Sequence, residues 1–166
     1  MAGDILGQNA ASVQYTLTLT SLATSSSRLA GRESTAVVNT TDDRIGYLVG
    51  GYVKAGTTPT AGQIDVWCYG SFNDTPNYPD AITGTDAAAT MTSAPILSSG
   101  LALLGSVATD TTTGRVYPFK PIDIAQLFGA VPTHHGLFVA HSMVAALDST
   151  ATNHKFWYTP VFARYT

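Results

Sequence analysis

The stretch YGSFNDTPNYPDAITGTDAAATMTSAP, Tyr69 to Pro95, sets three carboxylates, Asp74, Asp80 and Asp86, at six-residue intervals among Asn-rich turns and prolines. Carboxylates so grouped raise the question of a calcium site. A dedicated calcium loop places oxygen ligands at about every second position and closes with a bidentate acid roughly twelve residues on, and an interval of six does not match it. Turn and capping hydrogen bonds account for the aspartates in FNDT, NYPD and TGTD. The histidines have no ligand spacing either. His134 and His135 are adjacent, so on a strand they point to opposite faces, and none of His135, His141 and His154 pairs at an interval such as H-x-x-x-H. They read as hydrogen-bonded structural residues, and no metal or cofactor is predicted.

Nucleophilic chemistry finds no better footing. No serine sits in G-x-S-x-G, and Cys68 lies mid-strand in VWCYG, the setting of a buried, inert thiol. The sole glutamate, Glu33, follows Arg32 in a loop, where local ion pairing explains it better than a glycosidase acid pair. The run GGYVKAG lacks the spacing of a phosphate-binding loop. The prediction is a protein that is not an enzyme.

The elements that would carry these residues are strands. In SVQYTLTLTSL, Val13, Tyr15, Leu17 and Leu19 alternate with polar residues, the clearest strand pattern in the chain. A short strand follows around Ser34–Val38, then the run RIGYLVGGYVK, where the Gly50-Gly51 pair signals a bulge or a bend. In QIDVWCYGSF, Ile64, Val66 and Cys68 share one face and Trp67 and Tyr69 the other, so both faces of that strand are predicted to be covered. GLALLGSVA, RVYPFKPIDI, HGLFVAHSMVA and KFWYTPVFARY complete a set of about eight strands separated by turn signals. The pattern predicts an all-β fold, an antiparallel β-sandwich of the jelly-roll or Greek-key type, with at most one short helical turn at IDIAQLFG, capped by Asp123 and ended by Gly129. No composition shift divides the chain, so 1–166 reads as one domain with a polar N-terminal extension, 1–11, and a long loop, 73–93. A loop that long in a compact domain is usually functional, and its aromatic and proline residues predict an ordered contact arm.

Composition narrows the function classes. Only 11% of residues are charged, with a net charge of -3, against 24 Thr and 13 Ser. Hydroxyls replace ions on the exposed strand faces. Three Lys and five Arg are too few for a nucleic-acid backbone, and no apolar run approaches the roughly 18 residues of a membrane span. The single cysteine and the polar opening MAGDILGQNAAS predict synthesis in a cytoplasm without export. A charge-poor, aromatic-rich surface suits close packing against protein, so a homo-oligomer is expected. Arg28, Arg32 and Glu33 form the densest charge cluster and are candidates for contacts that set register on a partner. Trp67, Tyr69 and Trp157, with Tyr78 of the long loop, are the aromatic interface candidates.

The segments LTLTSLATSSSRLAGRESTAVVN, GTTPTAGQIDVWCYGSFNDTPNYPD and NHKFWYTPVFARY together resemble small Thr-rich virion proteins of tailed bacteriophages, those that decorate or cement the capsid exterior. The resemblance implies a jelly-roll-type domain, assembled as a dimer or trimer and bound where subunits of the major capsid protein meet, on the virion surface. It carries over no catalytic residue. A receptor- or carbohydrate-binding module of a tail or fibre is the alternative, because sugars stack on exposed Trp and Tyr.

Overall fold

The computed structural model describes residues 5–39 and 44–165. Along the chain these form β1 (Ile5–Asn9), β2 (Val13–Gln14), β3 (Ala30–Glu33), β4 (Val37–Val38), β5 (Arg44–Lys54), β6 (Gly62–Ser71) and β7 (Ala87–Thr90). There follow α1 (Ala94–Gly100), β8 (Ala102–Thr109), β9 (Val116–Asp123), α2 (Ile124–Phe128), β10 (His134–His141), a 3-10 turn (Ala151–Asn153) and β11 (Lys155–Tyr165). One antiparallel sheet runs β1-β11-β5-β9, with β2 also on β11; the other runs β7-β3-β10-β6-β8, with β4 also on β10.

β1 and β2 share the partner β11, and β3 and β4 share β10. Each pair therefore counts as one interrupted strand. With β7 set aside as an added edge strand, eight strands remain, ordered one-eight-three-six in one sheet and two-seven-four-five in the other. This is a jelly roll: a long antiparallel hairpin, paired β1·β11, β3·β10, β5·β9 and β6·β8, wound into two packed layers. The all-β antiparallel sandwich expected from the alternation is what the chain forms.

Between the sheets lies the main core, built from Tyr47, Val49 and Val53 of β5, Ile64, Val66 and Cys68 of β6, Tyr117 and Phe119 of β9, Leu137 and Val139 of β10, and Phe156. A second core sits on the far side of β6 and β10, where Tyr69, Phe138 and Ala140 meet Ile82, Ala89, Met91, Leu97 and Leu101. The two-sided burial expected of β6 is thus present, and the register between Phe138 and Trp67 sets its outer face. The Gly50-Gly51 bend is also as expected: the β5·β9 register shifts between Val49 and Gly51. A side chain at Gly51 would run into the Lys155 carbonyl and Phe156 of β11, so only glycine fits that approach.

Four local expectations need correction. The alternating stretch 13–20 joins a ladder only at Val13–Gln14. Tyr15 and Leu19 are buried as the pattern predicts, but the backbone crosses from one sheet to the other. The Tyr15 N–H donates to the Phe156 carbonyl at 2.9 Å, the Thr16 carbonyl accepts from Thr35 at 2.9 Å, and the Thr18 N–H donates to the Asp86 side chain at 3.0 Å. Period-two burial requires only an extended chain against a core, not a neighbouring strand. Second, the polar extension 1–11 supplies edge strand β1, because ladder bonds come from the main chain and need no apolar side chain; residues 1–4 lie outside the described residues. Third, α1 joins the helical turn expected at α2. Its seven residues present one buried side chain, Leu97, too few to show a helical period. At α2 the Asp123 carboxylate accepts from the Ala125 N–H and Gly129 ends the turn at φ 76°, as predicted.

The fourth correction concerns loop 73–93. It includes β7 and folds back over its own sheet, supplying Tyr78, Ile82, Ala89 and Met91 to the second core. Tyr78, one of the aromatic and proline residues that suggested a contact arm, packs instead in an intramolecular core for which the loop is the lid.

Candidate functional site

Six of the seven predicted contact residues fall on the β7-β3-β10-β6-β8 sheet and the segments packed against it. Glu33 is fully buried; its carboxylate accepts the Thr83 and Gly84 N–H groups at 3.0 and 2.9 Å and the Thr83 hydroxyl at 2.8 Å. Tyr69 is fully buried and donates to the Ser34 carbonyl at 2.6 Å. Desolvation first, then the nearby Glu33 charge, raises its phenol pKa, against the lowering effect of the Ser34 bond. Tyr78 meets Tyr69 edge-on with ring centroids 5.1 Å apart. Glu33 and Tyr69 are therefore corrected from surface contacts to interior residues: one neutralises the loop's free amides, the other fills the core beneath it.

The arginines are paired within the chain. Arg28 Nε lies 2.6 Å from Asp65 and Arg32 Nε 2.7 Å from Asp86. Arg32 adds a bond to the Asp86 carbonyl at 2.7 Å. Although partial burial pulls the Asp86 pKa up, hydrogen bonds from Arg32 and Thr18 hold it below the usual carboxylate range. The aspartate series does not converge: Asp80 accepts from the Thr92 hydroxyl at 2.8 Å, Asp86 serves Arg32 and Thr18, and Asp74 is exposed. Among the described residues no three His, Cys, Asp or Glu side chains are grouped to hold a metal ion.

The histidines are similarly dispersed. His135 is completely buried, its Nδ1 2.8 Å from the Tyr15 hydroxyl, with the Tyr47 ring centroid 4.4 Å away and Tyr158 at 5.8 Å. Burial, with the positive charges of Arg44 and His134, takes its pKa down to about 3. His154 donates from Nε2 to the Asp148 carbonyl at 2.8 Å and accepts the Lys54 N–H on Nδ1 at 3.3 Å, a pairing that requires the neutral ring. His141 donates from Nε2 to the Leu22 carbonyl at 2.9 Å.

Trp157 stands apart, on the outer face of the β1-β11-β5-β9 sheet. The face forms a groove of about 680 Å³ lined by Asn9, Ser12, Leu48, Tyr52, Pro121 and Trp157, with Gly50 and Gly51 as its floor. Trp157 and Tyr52 are tilted by 53° with centroids 5.7 Å apart. Gly50 is the β5 residue registered beside Trp157, so the strand there has no side chain to cover that flank of the indole. Sequence reasoning singled out Trp157 but missed the groove; the Gly-Gly pair in β5 was its signal, and only the β5·β11 register joins the two. Lys155 lies two residues from Trp157 and opposite Tyr52, and no carboxylate is within ion-pair reach of it among the described residues.

At the sandwich end where β4 and β6 finish and β5 and β10 begin, apolar side chains reach solvent: Val38 and Ile45 are each 48% exposed and Phe72 52%. Val13, 46% exposed, lines a depression with Val38. Compared with known protein families and with curated protein sequences, the chain matches none.

Proposed function

We propose that the protein is a virion structural component that decorates and stabilises the exterior of a phage capsid by binding where subunits of the major capsid protein meet. The observation that carries this reading is the exposure of Val13 and Val38, which line one depression, and of Ile45 and Phe72 near strand ends. Val13, Val38, Ile45 and Phe72 hold close to half their surface in water on a chain that is only 11% charged. Attachment to a shell would remove these apolar side chains from water. The resemblance to Thr-rich decoration proteins and the recurrence of jelly rolls in viral capsid domains support the same reading. On it the protein is made in the host cytoplasm, associates with itself as a dimer or trimer, and binds neither nucleic acid nor membrane. A receptor- or carbohydrate-binding module of a tail or fibre is the second reading, supported by the Trp157 groove.

Co-sedimentation with expanded shells of the cognate major capsid protein tests the first reading. The protein should saturate the shells and raise their melting temperature. Phe72→Asp should weaken attachment by about tenfold or more while leaving the free protein's melting temperature nearly unchanged. Failure to pellet with shells, or undiminished attachment of Phe72→Asp, would overturn it.

A further inference from the structure

The groove over Gly50 and Gly51 makes three demands on an occupant. Its walls, Trp157, Tyr52, Leu48 and Pro121, ask for an apolar face. Asn9, Ser12 and Thr159 on the β1–β2 side offer amide and hydroxyl groups; Ser12 and Thr159 already share a hydrogen bond of 2.6 Å, which leaves one hydroxyl proton and the remaining lone pairs for a ligand. The third demand is charge. No Asp or Glu lines the groove. Lys155 shares the outer face with Trp157 and has no carboxylate within 4.0 Å among the described residues. In a chain with only three lysines, one without an ion-pair partner two residues from Trp157 sets a positive charge at the edge of the groove.

We infer that this groove binds an anionic saccharide, a uronic-acid-containing chain, with a pyranose ring against Trp157 and its carboxylate toward Lys155. A uronate carries a C–H face for the indole, hydroxyls for Asn9, Ser12 and Thr159, and a negative charge, meeting all three demands in one unit. The groove's size is that of a small-ligand site, about 300–1,000 Å³. A second copy of the chain is disfavoured as occupant, because a two-fold contact through this face would offer Lys155 a copy of the same lining, which has no carboxylate to meet it. A broad acidic protein surface would span the hollow without reaching the glycine floor. The site deepens the second reading above and is separate from the capsid reading, since none of Val13, Val38, Ile45 and Phe72 lines the groove and binding there needs no shell.

The test is titration of the isolated full-length protein with tetragalacturonate and with a hyaluronan tetrasaccharide, followed by calorimetry and tryptophan fluorescence. Cellotetraose serves as the neutral control and oligoglutamate as the acidic-peptide control. The acidic saccharides should bind and shift the fluorescence. Trp157→Ala should weaken them by about tenfold or more. The surface substitution Lys155→Gln should weaken the acidic saccharides severalfold, and should also flatten their salt dependence, without altering the melting temperature. The inference is overturned by no binding at millimolar saccharide, by equal binding of cellotetraose, or by acidic saccharide affinity unchanged in Lys155→Gln. Oligoglutamate binding in place of the saccharides would assign the groove to an acidic protein, and dissociation of an oligomer by Trp157→Ala without saccharide binding would assign it to a second copy; either overturns it too.

Discussion

The Glu33 carboxylate accepts the backbone N–H of Gly84 at 2.9 Å, linking the long loop to the sheet it covers. Gly84 sits at φ 77°, a conformation that costs glycine nothing and turns its amide, after that of Thr83, onto the same carboxylate. A buried carboxylate without a cation is tolerated because these donors replace its water. Glu33→Ala should remove roughly 2–4 kcal/mol of stability. Hydrogen exchange should then show the Thr83 and Gly84 amides unprotected while β5 and β11 stay protected; unchanged exchange at Thr83 and Gly84 would refute the clamp.

Loop 73–93 is a structural lid. Cutting it to a tight turn would delete β7 and uncover Tyr69, Phe138 and Ala140, so the shortened protein should aggregate on expression. Tyr78→Ala, which removes a half-buried ring from the same core, should cost about 1–3 kcal/mol in urea unfolding. A soluble shortened protein with native stability would show the lid to be dispensable.

Stability should fall in mild acid because of His135. Burial, Arg44 and His134 hold its native pKa near 3, so between pH 6.5 and about 3 the unfolded chain takes up a proton that the native chain refuses. Each pH unit in that window should cost about 1.4 kcal/mol from this residue, with nothing lost above pH 6.5. His141 and His154, also lowered chiefly by burial, act in the same direction. Urea midpoints at pH 7.5 and pH 5 measure the slope, and His135→Gln should flatten it; an identical slope in that variant would exclude His135 as its source.

Cys68 should be inert in the folded protein. It is fully buried in the main core, and burial raises its thiol pKa well above that of a free cysteine. A thiol reagent should label it only in denaturant, at a rate that tracks unfolding. Rapid labelling of the native protein would mean that β6 opens locally.

Local pattern carried much of this fold. The two faces of β6, the Gly50-Gly51 irregularity in β5 and the Asp123–Gly129 helical turn were legible because each depends on residues within a few positions of one another. Composition likewise showed a hydroxyl-rich, charge-poor surface before any contact was known. What tertiary structure decided were the relations between distant segments. The stretch 13–20 has the period of a strand, yet beyond Gln14 its backbone partners are Phe156, Thr35 and the side chain of Asp86, none of which its own residues can specify. Arg28, Arg32 and Glu33 look like one surface cluster in sequence, and the fold sends them to Asp65, Asp86 and the Thr83–Gly84 amides. Trp157 became the wall of a groove only because β11 lies beside the glycines of β5, a pairing across about a hundred residues. Side-chain direction follows from local geometry, but what lies in that direction is set by chain closure, which a linear pattern does not contain.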